Sequence, residues 1–277
     1  MTDPYFSVII PTLNEEKYLP KLIDALSEQT YKDFEAILVD GQSDDKTVEV
    51  FKKLGGKLPA VQVLVSEKRN VAFQRNWGAK NSKAKYLIFF DADVNVNKTF
   101  LEEIHLAAIK RNFSLATTWI KPDSKKEIDQ VMFVLSNLGL EIAKIINKPF
   151  TGGYNTIIER KVFLKLKGYR EDLVMSEDHD LAIRAYKKGI ETVILPEPKV
   201  TFSLRRYRAE GTLTVLRKYA KASIYMLLKG PITHKLFEYE MGGQAHRRKK
   251  KKINWVKVDT YFNAIERLED KVNSLLN

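Results

Sequence analysis

Asp91 and Asp93 stand two residues apart at the end of an uninterrupted apolar run, Tyr86 to Phe90. In an extended or tightly turned backbone, that spacing lets both carboxylates reach one point, where a divalent cation with oxygen ligands would hold them together. Two ionised acids repel, so a metal, a base or solvent has to offset their charge. A solvated aspartate turn closing a strand is the alternative reading of the same pair. A second acidic group, Glu177 and Asp178, opens a helical pattern that carries Leu181, Ile183 and Ala185. Backbone N–H groups at a helix N-terminus stabilise negative charge, and a plain N-cap is the competing explanation there. A third acid, Asp40, ends the strand-like segment Phe34 to Val39 and precedes Gly41.

These acids need a frame, and the chain provides a repeated one. Phe6 to Ile10, Phe34 to Val39, Val61 to Val65 and Tyr86 to Phe90 read as buried strands. Between them lie helical patterns: Asn14 as the cap of a helix bearing Leu19, Leu22, Ile23 and Leu26, a helix opened by Ser43 to Asp45, and one over Arg69 to Ala79 with Gly78 as a close-packing point. Ala116 to Ile120 and Thr156 to Ile158 add strands, and Ile128 to Ile146 an amphipathic helix. Alternation of this kind predicts an α/β fold, a mostly parallel mixed sheet flanked by helices, with ligands at the carboxyl ends of the strands. The turn after the first strand, Pro11 to Glu16, has no glycine, which excludes a dinucleotide-binding fingerprint, and no P-loop is present. Phosphates would then be held by metal and arginine.

Composition narrows the chemistry. The 277 residues, 44% of them hydrophobic, contain no cysteine and four histidines, so thiolate zinc sites, disulfides and a cysteine nucleophile are excluded. Any metal would have oxygen ligands. The formal net charge of +12 is concentrated from Arg205 to Asn277, where 17 Lys and Arg face 7 Asp and Glu.

Four separated segments occur in an order that resembles family 2 glycosyltransferases of the GT-A fold, inverting enzymes that use nucleotide-sugar donors. They are S-V-I-I-P-T-L-N-E-E at Ser7 to Glu16, V-D-G-Q-S-D-D-K-T at Val39 to Thr47, D-A-D at Asp91 to Asp93, and S-E-D at Ser176 to Asp178. The segment Arg69 to Gly78 is similar to the one that carries a phosphate-facing arginine in that family. The resemblance implies a catalytic domain over 1–204, with a donor-binding half at about 1–95 and an acceptor half at about 96–204, followed by a basic helical extension over 205–277. It assigns Pro11, Thr12, Asn14, Glu15 and Asp40 to the base and ribose pocket, Arg75 to the diphosphate, and Asp91 to ribose or metal. Asp93, with Asn95 beside it, would bind Mg²⁺ or Mn²⁺. Asp178 would be the base, with Glu177 positioning it or the acceptor. Gly152, Gly153 and Tyr154 would line the acceptor side, joined there by Arg205 and Arg206. The implied partners are a UDP- or GDP-sugar and an acceptor glycan, lipid or lipid phosphate. Processive members carry Q-x-x-R-W and membrane spans, whereas this chain has S-L-R-R-Y-R at Ser203 to Arg208, which implies transfer of one sugar per encounter.

The basic end carries three further expectations. Leu213, Leu216, Ala220, Ile224 and Leu227 predict an amphipathic helix over Thr212 to Lys229, and with Arg247 to Lys252 it would suit an anionic membrane surface. Val258, Tyr261, Ile265, Leu268, Val272 and Leu275 form a stripe of alternating three- and four-residue spacings, which suits packing on the catalytic domain or a homodimer. No bilayer-spanning run and no export signal are seen, so the expected location is the cytoplasm, with peripheral contact to the inner face of the cell membrane. Rival readings are a nucleotidyltransferase, or a nucleic-acid-binding protein using the basic end; the lysine run lacks interleaved aromatics, and no nucleic acid is expected.

Overall fold

The computed structural model describes residues 3–239 together with 242 and 243. Seven strands form one sheet: β1 (Phe6–Thr12), β2 (Phe34–Asp40), β3 (Val61–Val65), β4 (Tyr86–Phe89), β5 (Leu115–Pro122), β6 (Thr156–Glu159) and β7 (Thr192–Phe202). Their order is β3-β2-β1-β4-β6-β5-β7. Every neighbouring pair is parallel except those of β6, which runs antiparallel to β4 and β5. This reversal positions the site. Phe89 pairs with Thr156, so the start of β6 and the loop before it reach the edge where β1, β2 and β4 end. β5 and β7 run the same way as β4, and Ser203 follows at that edge too.

The apolar runs are strands because both faces are covered. Val8, Ile10, Leu38 and Ile88 are buried in one cluster and Ile9, Ile37, Leu87 and Phe89 in another. Helix α3 (Val71–Asn81) lies on the second face, where a Cβ on Gly78 would stand 2.5 Å from Ile9 Cγ2. The expected close-packing role of Gly78 is what the structure has.

Helix starts differ from expectation. Asn14 does not cap α1 (Leu19–Ser27), which has Pro at its first turn. Instead Asn14 takes φ 57° and its Oδ1 accepts from Asp44 N–H at 2.7 Å, so it ties two loops together. Helix α2 (Thr47–Gly55) begins after the Ser43 to Asp45 turn. Helix α4 (Phe100–Arg111), α5 (Glu127–Ile145) and α6 (Arg160–Lys165) follow, then α7 (Glu177–Lys187), whose first turn carries Glu177 and Asp178. β7 is not marked in the sequence reading because Pro196 and Pro198 interrupt it. Leu195 pairs with Thr118 and Val200 with Ile120, so the prolines fall where the ladder skips.

Helix α8 (Arg205–Glu210) leads to α9 (Thr212–Lys229), which has the expected bounds. Val215, Ala222 and Met226 are buried, whereas Leu213, Leu216 and Ile224 are exposed. Ile232, Leu236 and Phe237 fold back onto the buried side, which decides the orientation. Arg247 to Lys252 and the stripe from Val258 to Leu275 lie outside the described residues. Among the described residues no helix is long and apolar enough to cross a membrane.

Candidate active site

The edge formed by the ends of β1, β2 and β4 and the start of β6 collects six carboxylates, Glu15, Asp40, Asp91, Asp93, Glu177 and Asp178, and two arginines, Arg75 and Arg205. Arg75 comes from the middle of α3 and is buried. Its Nη2 donates to Asp91 Oδ1 at 2.8 Å and its Nη1 to Glu177 Oε1 at 2.6 Å. The guanidinium lies 5.5 Å from the Tyr169 ring centre and under Gly153, where a Cβ would stand 2.7 Å from it. Gly153 therefore permits the close approach. Burial alone would disfavour the Arg75 charge, but Asp91 and Glu177 outweigh it and hold the group protonated.

Asp178 sits one residue beyond Glu177. Its Oδ2 accepts from Gly153 N–H at 2.6 Å and its Oδ1 from His179 N–H at 2.8 Å. These backbone donors fix its orientation from both sides. Glu177 is shifted upward by burial and by neighbouring Asp178, with Arg75 opposing. Gly152 leaves room for the Tyr154 ring, which would meet a Cβ at 2.2 Å, and that ring packs edge-on against Phe202 at 5.0 Å. Tyr154 is thus partly committed to the core.

On the other flank Arg205 reaches away from the Gly152–Tyr154 loop. Its Nη1 and Nη2 meet Glu15 at 2.5 and 2.8 Å, and its Nε lies 2.7 Å from Asp93 Oδ2. Arg205, expected on the acceptor side, thus lies against Glu15 and Asp93. Burial pushes Glu15 up to about 7, with Arg205 pulling it back, and Asp93 up to about 6 in the same way, helped by Asp91. Arg206 pairs with Glu210 at 3.2 Å and lies over the Tyr239 ring at 4.0 Å.

The remaining expected residues form the loop layer after β1 and β2. Asp40 is buried, accepting from Ser43 N–H at 2.9 Å, from Ser43 Oγ at 2.5 Å and from Thr12 Oγ1 at 3.2 Å. It closes its own turn and braces Thr12. Pro11 is buried at the end of β1, and Glu15 N–H donates to Thr47 Oγ1 at 2.7 Å. Asn95 shares a pocket of about 160 Å³ with Asp93, Ser203, Lys17 and Tyr18. Its side-chain oxygen accepts from Val96 N–H at 3.0 Å.

Four contributors escape a sequence reading. Tyr169 lies beneath Arg75, Ser203 donates to Asp93, and Gln74 Nε2 bonds both Thr12 O and Val39 O at 2.9 and 2.7 Å. Tyr239 joins through Arg206, and nearby Gly243 N–H reaches Leu13 O at 2.9 Å, so the chain returns to the loop after β1. Only Gln74 and Ser203 had a signal, as neighbours of the singled-out arginines.

Among the described residues no three acidic or imidazole side chains already converge as a metal site. The donor set nevertheless fits a hard divalent cation. Asp91 and Asp93 offer carboxylate oxygens, and the upward displacement of Asp93 and Glu15 reflects burial of like charges that Arg205 does not fully offset.

Residues 7–167 match the family described as Glycosyl transferase family 2. The chain belongs to family 2 of the glycosyltransferases. A relative from Methanococcus voltae, dolichyl N-acetyl-alpha-D-glucosaminyl phosphate 3-beta-D-2,3-diacetamido-2,3-dideoxy-beta-D-glucuronosyltransferase, is 27% identical over 83% of this chain and 74% of its own. The amylovoran biosynthesis glycosyltransferase AmsB of Erwinia amylovora is 28% identical over 74% of this chain and 71% of its own. Among solved structures, the Pyrobaculum calidifontis mannosyltransferase PcManGT in complex with GDP-Man and Mn²⁺ has a TM-score of 0.62 at 18% identity, covering 83% of this chain and 72% of its own. At that identity the likeness is one of fold, and the mixed seven-stranded sheet is a GT-A sheet. As a glycosyltransferase, the chain leaves the nucleotidyltransferase and nucleic-acid readings without support.

Proposed function

We propose that this glycosyltransferase moves a single sugar from a nucleoside-diphosphate sugar to an acceptor hydroxyl or lipid phosphate, with inversion and with a divalent metal. The observation that carries the reading is the buried bridge Asp91–Arg75–Glu177, which ends one residue from Asp178. It couples the two halves of a displacement, leaving group on one side and base on the other, through one rigid guanidinium.

Pro11, Thr12, Asn14, Glu15 and Asp40 form the loop layer that would receive the nucleoside. Asp93 with Asp91 would hold Mg²⁺ or Mn²⁺, with Asn95 lining the same pocket. When bound, that ion neutralises charge developing on the departing diphosphate. Arg205 would release Asp93 and turn toward the phosphates, which suit a planar guanidinium. Arg75 acts as a positioning residue for Asp91 and Glu177. Asp178 takes the proton from the acceptor oxygen as that oxygen attacks the anomeric carbon, and the bond to the diphosphate breaks on the opposite face. Gly152, Gly153 and Tyr154 border the acceptor, and Arg206, held by Glu210, would join them on that side. The Methanococcus voltae relative is named for a dolichyl-linked acceptor, which supports a lipid-linked acceptor here.

The test combines a thermal-shift panel of UDP- and GDP-sugars with Mn²⁺ or Mg²⁺, and turnover of the stabilising donor. Expected are release of nucleoside diphosphate and a product of inverted anomeric configuration. Asp178→Asn should still bind donor while transfer falls by at least roughly a hundredfold. Undiminished turnover in that variant removes Asp178 as base, and a retained anomer removes the single displacement.

A further inference from the structure

Helix α5 is fixed to the body by one face and leaves a second apolar face outside. Phe133, Asn137 and Leu140 are buried, and the Asn137 amide clamps β5 by accepting from Ile120 N–H at 2.9 Å and donating to Ile120 O at 2.8 Å. That clamp prevents the helix from rolling. On the opposite side Ile128, Val131, Leu135, Leu138, Ile142 and Ile145 are between 45% and 77% exposed. Their spacings alternate three and four, the 3.5-residue period of a helix that packs along another helix.

We propose that this stripe is a homodimer interface in which α5 of one chain packs antiparallel along α5 of a second copy. The stripe is complementary to itself under a two-fold axis between Leu135 and Leu138, which sets Ile128 against Ile145, Val131 against Ile142, and Leu135 against Leu138, in six complete layers. Gly139 flanks the seam and allows close approach, and Glu127 lies on the edge that would meet Lys148 of the second copy. Six such side chains on each copy would bury roughly 1,000 Å², the lower bound of a specific interface. Charge does not single out an anionic bilayer as occupant: over Lys125–Lys148 three acids, Glu127, Asp129 and Glu141, face four lysines, Lys125, Lys126, Lys144 and Lys148, and Lys144 is paired with Glu191 at 2.7 Å.

The chain contains no cysteine, so single cysteines report register directly. Full-length Ile128→Cys and Ile145→Cys chains, mixed and oxidised, should form a disulfide dimer, and neither should do so efficiently alone. Sedimentation should show a concentration-dependent dimer, with Leu135→Glu and Leu138→Glu each weakening association by at least roughly tenfold while donor-induced thermal shifts persist. A monomer at all concentrations overturns the proposal. So does a dimer lost in Leu268→Glu but kept in Leu135→Glu, which would assign it to the C-terminal stripe. Flotation with phosphatidylglycerol vesicles that is lost in Leu135→Glu, without any dimer, would assign the face to lipid.

Discussion

Arg75 faces two carboxylates at once, and its two terminal nitrogens go to different partners. Replacing it by Met leaves Glu177 buried against Asp178 without a counter-charge. Because Asp91 keeps solvent access, the expected destabilisation lies near the lower end of the range for a broken buried pair, about 3 kcal/mol, read from urea unfolding. Arg75→Lys should restore little, since one ammonium does not span both acids. Glu15 and Asp93 respond to pH in the opposite sense from ordinary surface acids. Both are raised in the folded state, to about 7 and about 6, from ordinary values of 4.5 and 3.8. The folded chain therefore holds these protons more tightly than the unfolded chain. Their contribution to stability is full below the unfolded values and is lost as pH rises through about 6 to 7. The melting temperature of Glu15→Gln should depend less on pH between about 5 and 8 than that of the parent. If metal joins Asp93, donor binding should fall below about pH 6, as its carboxylate protonates. Which residues carry acids at strand ends was readable from the chain, because carboxylates after apolar runs stand out. Their partners were not, since Arg75 and Glu177 are far apart in sequence and only folding shows that one guanidinium serves both.

At the scale of elements, the loop before β6 and the N-terminus of α7 form one unit. Gly153 donates its N–H to Asp178 and lets Arg75 approach, so a side chain there has no free space. Gly153→Ala should destabilise by about 1–3 kcal/mol and lower transfer. The measurement is urea unfolding with turnover under saturating donor, and an unchanged turnover would separate the loop from the base. Strands β1 to β6 and helix α3 were legible because buried runs and 3.6-residue periods are local signals. Strand β7 was not, because its prolines are tolerated only where the partner ladder skips. Asn14 misled for a similar reason. Its type suits a helix cap, but its φ of 57° and its bond to Asp44 make it a brace between loops. Helix α9 was found with its bounds, but which of its faces is buried was not legible, because both sides carry apolar residues and the segment around Ile232 selects one.

For the whole molecule, the mixed sheet brings distant segments to one edge. Reversal of β6 delivers the Gly152–Tyr154 loop beside the end of β4, and the run through β7 returns Arg205 to Asp93 and Glu15. The basic run Arg247 to Lys252 belongs to the same scale. Replacing those six residues by Ser should weaken binding to anionic vesicles at low salt and change little at high salt, where screening removes the attraction. Equal vesicle binding by parent and variant would leave the basic run without a membrane role. By itself the sequence determined the layered α/β class, the oxygen-only chemistry of any metal, the family and the positions of the acids, because each depends on residue type and short-range order. The tertiary structure decided which charges meet. Arg75 became a buried tie, Arg205 came to Glu15 and Asp93, and α5 kept an apolar stripe outside, since pairing across the sheet and the choice of helix face depend on long-range packing.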